Sequence, residues 1–231
     1  CSEAFAFTQN CVFMVAPEGS PRAACPEFPE GLLGLYIGMV FELCSKGSLY
    51  KVLHQNHGKR VSFREKMKYA LEVARGMSYI HAKGIIHRDL KPGNMLVGSR
   101  GNPKIIDFGV ARSTESDSVT ATLATEAGQL IGTLQYMSPE QVELDPGDLD
   151  TRSDVYALGV ILYQLLVDKL PYDLTGASLT KAGQLIKETQ PARLSDINSN
   201  LQGDLETICL KALEKDRDQL LQKDTDWKFR A

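Results

Sequence analysis

A chain of 231 residues, 43% of them hydrophobic, is long enough to bury one sizeable core or one large and one small lobe. Its net charge of -3 lacks the electrostatic footprint of a nucleic-acid binder or an anionic-membrane binder. The cysteines, Cys1, Cys11, Cys25, Cys44 and Cys209, have neither Cys-x-x-Cys spacing nor a paired pattern. They read as free thiols of a reducing cytosol, and the expected location is cytoplasmic. No basic stretch precedes an apolar run at the start, and the most apolar later run, 155–167, lies between Asp154 and Asp168. It is shorter than the roughly 20 residues needed to span a bilayer, so a buried helix is expected and no membrane segment.

Residues 1–31 carry Pro17, Gly19, Pro21, Pro26 and Pro29, and no helical or strand period persists among them, so an irregular segment is expected. The stretch 32–43 is apolar with branched and aromatic residues and suits one or two strands. Cys44-Ser45-Lys46-Gly47-Ser48 then reads as a turn opening a short helix through His54. Ser62-Phe63-Arg64-Glu65 is a capping-box pattern that starts a second helix. Along it Phe63, Met67, Ala70, Leu71, Ala74, Met77 and Ile80 recur at three- and four-residue steps, which predicts one stripe facing a core. Lys83-Gly84 should end it, with glycine supplying a left-handed cap and lysine complementing the dipole. Between 109 and 138 the chain is polar and rich in hydroxyls, including Ser113, Thr114, Ser116, Ser118, Thr120, Thr122 and Thr125, which by composition is a flexible loop. A helix apolar on nearly every face follows from Thr151 to Asp168 and belongs in the middle of a domain. Two amphipathic segments, 177–188 and 203–213, complete the legible elements.

The chemistry concentrates in His87-Arg88-Asp89-Leu90-Lys91-Pro92-Gly93-Asn94, followed by Asp107-Phe108-Gly109 and then Ser138-Pro139-Glu140. An aspartate able to accept a hydroxyl proton, a lysine two residues on, and an asparagine and second aspartate able to hold Mg²⁺ form a phosphoryl-transfer constellation. These three motifs, in this order and spacing, resemble the catalytic-loop, metal-binding and activation-segment motifs of eukaryotic-type protein kinases. Lys91 is similar to the serine/threonine branch. Gly132-Thr133-Leu134-Gln135-Tyr136-Met137-Ser138-Pro139-Glu140 is similar to the bacterial members, whereas 62–96 resembles plant or animal relatives.

The resemblance implies an α+β, protein-kinase-like fold with a predominantly helical large lobe at 45–216 and a partial β small lobe and hinge at 32–44. Residues 1–31 would be a remnant N-terminal segment and 217–231 an unmatched polar tail. It implies ATP and Mg²⁺ as cofactors and protein Ser/Thr hydroxyls as substrate. Asp89 would orient and deprotonate the hydroxyl, Lys91 would place a point charge at the transferring phosphoryl group, and Asn94 and Asp107 would hold metal. Thr133 would bond Asp89 and Lys91. Backbone groups of Glu42 and Cys44 would bind adenine, with Phe41 as gatekeeper, Ser48 near the ribose and Leu96 beneath the base. A core strand followed by a capped helix fits 32–54 equally well from the residues alone. His87 would stack near Phe108, Asp154 would brace the loop's backbone, and Arg88 would receive an activation-loop phosphate.

The departures are specific. No G-x-G-x-x-G loop is present, and the first lysine in the chain is Lys46, already past the hinge, so the small-lobe lysine of the family has no counterpart. Leu220 stands where the family usually places an arginine that pairs with the glutamate matching Glu140. With so little small lobe, the strand at 35–43 is expected to expose an unpaired edge. A Ser/Thr kinase domain completed by further strands, a noncatalytic interaction module and an inactive fragment are all compatible with the sequence. So are a dimer and fused domains.

Overall fold

The computed structural model describes residues 12–15, 37–40, 44–54, 61–108, 132–143 and 149–216. Contacts divide the chain into two compact units, Cys1–Cys44 and Ser45–Ala231. In the first, β1 (Val12–Val15) runs antiparallel to β2 (Ile37–Val40), with Val12 opposite Val40 and Val15 opposite Ile37. β2 falls inside the expected strand region. β1 lies in a stretch where no strand was expected, because four apolar residues are too few to show a period and their pairing partner is remote in sequence. It pairs with one edge of β2 in a two-stranded sheet.

The second unit is built from helices. Ser48 opens α1 (Leu49–His54), its Oγ accepting the Lys51 N–H at 3.2 Å. The capping box then starts α2 (Phe63–His81): Glu65 N–H donates to Ser62 Oγ at 3.3 Å and Ser62 N–H to Glu65 Oε2 at 3.1 Å. At its far end Gly84 adopts φ +74 and Ile85 N–H returns to the Ile80 carbonyl at 3.1 Å, so the helix stops where glycine permits it.

The buried face of α2 differs from the expected stripe. Met77 and Ile80 are buried, but so are Lys66, Tyr69, Val73 and His81, while Phe63 is 53% exposed. Met67, Ala70, Leu71 and Ala74 are half-buried. They line an apolar groove of about 440 Å³ together with Leu158 and Leu205. Lys66 joins the interior because its stem packs while its ammonium reaches Asp168 Oδ1 at 2.5 Å.

Next comes a hairpin of β3 (Met95–Val97) and β4 (Pro103–Ile105), with Met95 opposite Ile105. It is tied to the loop before α1 by a Ser48–Leu96 pairing and by Val97 N–H to Gly47 O at 2.8 Å. Helices α3 (Pro139–Glu143) and α4 (Thr151–Val167) follow, then α5 (Leu179–Glu188), α6 (Leu194–Ile197) and α7 (Asp204–Ala212). Asp150 caps α4 by accepting the Arg152 N–H at 2.8 Å, and Asp168 closes it at φ +56. Both α2 and α7 pack on α4, whose Tyr156, Val160 and Leu165 are fully buried. Gly159 makes the α4–α7 approach possible: a Cβ there would stand 2.8 Å from the Ala212 Cβ. Among the described residues no helix is long and apolar enough to cross a membrane.

Candidate active site

The site begins from a buried carboxylate on α4. Asp154, 1% exposed at its side chain, accepts the backbone N–H of His87 at 2.8 Å and of Arg88 at 2.9 Å. Its Oδ2 also lies 2.9 Å from His81 Nε2, which must be the donor because an ionised carboxylate only accepts. Arg88 has φ +68, a conformation a non-glycine residue holds only when its surroundings over-determine it, and these bonds do so. Sequence reasoning missed His81. Its signal was there, since it stands four residues after Met77 on the buried side of α2.

Fully buried, His87 orients the turn from within. Its Nε2 donates to the Ile106 carbonyl at 3.0 Å, and its Nδ1 accepts the Asp89 N–H at 3.3 Å, which makes the ring neutral. The ring meets Phe108 at a centroid distance of 4.9 Å. Gln141 on α3 adds a bond from Nε2 to the Arg88 carbonyl at 2.7 Å. The loop is thereby held from α4, from Ile106 just after β4 and from α3.

On this support the polar side chains converge. Lys91 Nζ is 3.0 Å from Asp89 Oδ2 and 3.1 Å from Thr133 Oγ1. Asn94 Nδ2 donates to the Asp89 carbonyl at 2.8 Å and to its Oδ2 at 3.0 Å. Asp89 remains 20% exposed at its side chain, open to an incoming group. With its amide nitrogen committed, Asn94 keeps Oδ1 as an acceptor. Asp107, exposed and at φ +58, follows β4. Ile106 N–H bonds to the Asn94 carbonyl at 3.0 Å, which brings the two metal candidates to the same end of the hairpin. Among the described residues no group of three or more His, Cys, Asp or Glu could cage a metal. One carboxylate and one amide oxygen do fit Mg²⁺, which takes one or two protein ligands and completes its shell with water and substrate phosphates.

The segment bearing Thr133 has its own anchors. Tyr136 Oη donates to Gln164 Oε1 at 2.8 Å, and Gln164 Nε2 stands 3.3 Å from His54 Nε2. Burial pushes the Tyr136 phenol well up, so it stays a neutral donor. Ser153 Oγ donates to Glu140 Oε1 at 2.7 Å, giving that carboxylate a partner other than the arginine of the family pattern. Ser48 and Leu96 sit together through their backbone pairing, with the Ser48 hydroxyl serving as a helix cap. Cys44 is a half-buried free thiol. Phe41, Glu42, Leu220 and the hydroxyl-rich run 113–125 lie outside the described residues.

Residues 34–223 match the protein kinase domain family. The chain is 31% identical to a probable serine/threonine-protein kinase of Clostridium acetobutylicum, over 77% of this chain and 25% of that protein. It is 36% identical to the serine/threonine-protein kinase PknA of Mycobacterium tuberculosis, over 75% of this chain and 38% of the relative. With the serine/threonine-protein kinase STY17 of Arabidopsis thaliana it shares 37% identity over 66% of this chain and 25% of the relative. It therefore spans between a quarter and two fifths of the length of these curated relatives. The loop geometry around Asp89 and the family match lead to one conclusion: this chain belongs to the protein kinase domain family, among relatives of the serine/threonine kind.

Proposed function

We propose that the protein transfers the γ-phosphoryl group of ATP to Ser/Thr hydroxyls of protein substrates, with this chain supplying the catalytic large lobe. The observation that carries the reading is the hydrogen-bonded cluster of Asp89, Lys91, Asn94 and Thr133. Mg²⁺ and ATP would supply the phosphoryl group and the positive charge that offsets its oxygens. Asp89 accepts the substrate hydroxyl proton on its exposed side as the hydroxyl oxygen attacks the γ-phosphorus and the bond to the β–γ bridging oxygen breaks, releasing ADP. Lys91, held by Asp89 and Thr133, keeps a cation where charge builds on the phosphoryl oxygens. Asn94 Oδ1 and the Asp107 carboxylate offer the metal its protein oxygens. Leu96 and Ser48 form the neighbouring nucleotide side, and the roles of Glu42 and Cys44 rest on the resemblance to kinases. The same reading puts the domain in the cytoplasm, where ATP is supplied and the buried Cys209 thiol stays reduced.

Calorimetric titration of the purified chain with ATP and Mg²⁺ tests this. Binding that requires Mg²⁺ and weakens at least tenfold in Asp107→Ala is expected. A folded chain that binds ATP equally well with and without Asp107 would overturn the metal assignment. No binding by a folded chain would favour a noncatalytic interaction module.

A further inference from the structure

Three segments distant in sequence bring positive charge to the turn between β3 and β4. Gly101, at φ +75, has no side chain, and the point where its Cβ would stand is 3.6 Å from Lys46 Nζ and 3.9 Å from Lys68 Nζ. Lys46 precedes α1 and is pinned by its own N–H to the Val97 carbonyl at 3.1 Å. Lys68 lies in the second turn of α2, and its ammonium donates to the Arg100 carbonyl at 3.3 Å and to Asn102 Oδ1 at 3.1 Å. The Arg100 side chain is exposed on the same turn.

Two ammonium groups thus face one spot, the exposed Arg100 belongs to the same turn, and the groups that hold Lys68 are neutral. None of Lys46, Lys68 and Arg100 makes an ion pair among the described residues. The nearby carboxylate is Glu65, whose pKa is lowered mainly by its bonds with Ser62 and in small part by Lys46. It is committed to the capping box, with Oε2 at 2.7 Å from Ser62 Oγ. On a chain of net charge -3, this is a local excess of positive charge that Glu65, still a carboxylate within the capping box, offsets only in part.

We infer that this face is a docking surface for an acidic peptide segment of a protein partner. A single small anion gains little from exposed lysines, whose separate contributions water and salt screen. A peptide carrying several carboxylates adds those contributions and spans all three cations. The hairpin separates the two ends of its strands, with Asn94 and Asp107 at one and the basic turn at the other. A docked segment therefore meets the hairpin at the end away from Asn94 and Asp107. If the chain acts as a kinase, the docked partner is its substrate, but binding itself does not rest on that reading.

The test is fluorescence anisotropy with a fluorescein-labelled oligo-glutamate peptide, its oligo-glutamine counterpart and inorganic phosphate as competitor. Lys46→Glu/Lys68→Glu is compared with Lys181→Glu/Lys211→Glu, which changes net charge equally on α5 and α7. Circular dichroism checks that both remain folded. The expected result is salt-sensitive binding of the glutamate peptide only, weakened roughly tenfold or more by the first pair and less than about twofold by the second. Equal weakening by both pairs, absence of binding at low salt, or full displacement by millimolar phosphate would overturn the inference.

Discussion

Helix α4 and the turn 85–94 divide the labour between shape and chemistry. α4 is buried along nearly its whole length and carries no group that could meet a substrate, whereas the turn is half-exposed and carries the reactive side chains. Yet the turn has no regular hydrogen-bond ladder to hold its positive φ at Arg88, and it takes its shape from Asp154. A change on α4 should therefore cost stability and shape together. A change to the turn's partly exposed reactive carboxylate, Asp89, should cost chemistry alone.

The largest stability effect is expected at Asp154. Asp154→Ala leaves His81 Nε2 and the N–H groups of His87 and Arg88 without their buried acceptor. Chemical denaturation should show a loss of about 3–5 kcal/mol, or a chain that no longer folds. Gly159→Ala comes next, at about 1–3 kcal/mol by the same measurement, because its methyl would meet the Ala212 backbone as well as its side chain. On the turn, Asp89→Asn should leave stability within about 1 kcal/mol, since the Lys91 pair is partly exposed. Phosphotransfer by a longer protein with its small lobe should instead fall roughly a hundred- to ten-thousand-fold. An Asp89 variant that unfolds would break the comparison.

A pH experiment sharpens it from the packing side. Lys215 donates to the phenol oxygens of Tyr156 and Tyr172 and to the Ile186 carbonyl. Burial lowers its pKa to about 8, against the opposing pull of Glu214. Between pH 8 and 10 the unfolded chain binds more protons at this lysine than the folded one, so stability contributed here rises with pH. Above about pH 9 the trend is opposed, because burial raises the Cys209 thiol and the phenols, Tyr172 to about 12, so the unfolded thiol and then the unfolded tyrosines ionise first. Thermal melts should show a rise between pH 8 and 9 in the unmodified chain and a flatter profile there in Lys215→Met. The smallest effect is expected at Phe63→Ser, within about 0.5 kcal/mol, because that ring lies outside the core it was expected to join.

That last residue shows what an amphipathic pattern leaves open. Phe63, Met67, Ala70 and Leu71 and the set Lys66, Tyr69 and Val73 both recur at helical spacing, on adjacent faces of α2. Apolarity favours the first set, but packing on α4 selects the second, where a tyrosine and a lysine stem fill space and Lys66 finds Asp168. The seam with α4 is a property of both helices. One helix's period cannot reveal it.

What the sequence by itself determined is whatever rests on neighbours a few residues apart. The capping box and Gly84 delimit α2, the continuous apolar run predicts a buried α4, and the spacing from Asp89 to Asn94 puts three polar groups within one turn. Tertiary structure alone decided the partnerships across long separations: β1 with β2, His81 with Asp154, Ser153 with Glu140, and Lys46 with Lys68 over Gly101. The physical reason is that backbone conformation answers to local sterics and local hydrogen bonds. A buried polar group instead needs a partner that only the folded chain brings within reach.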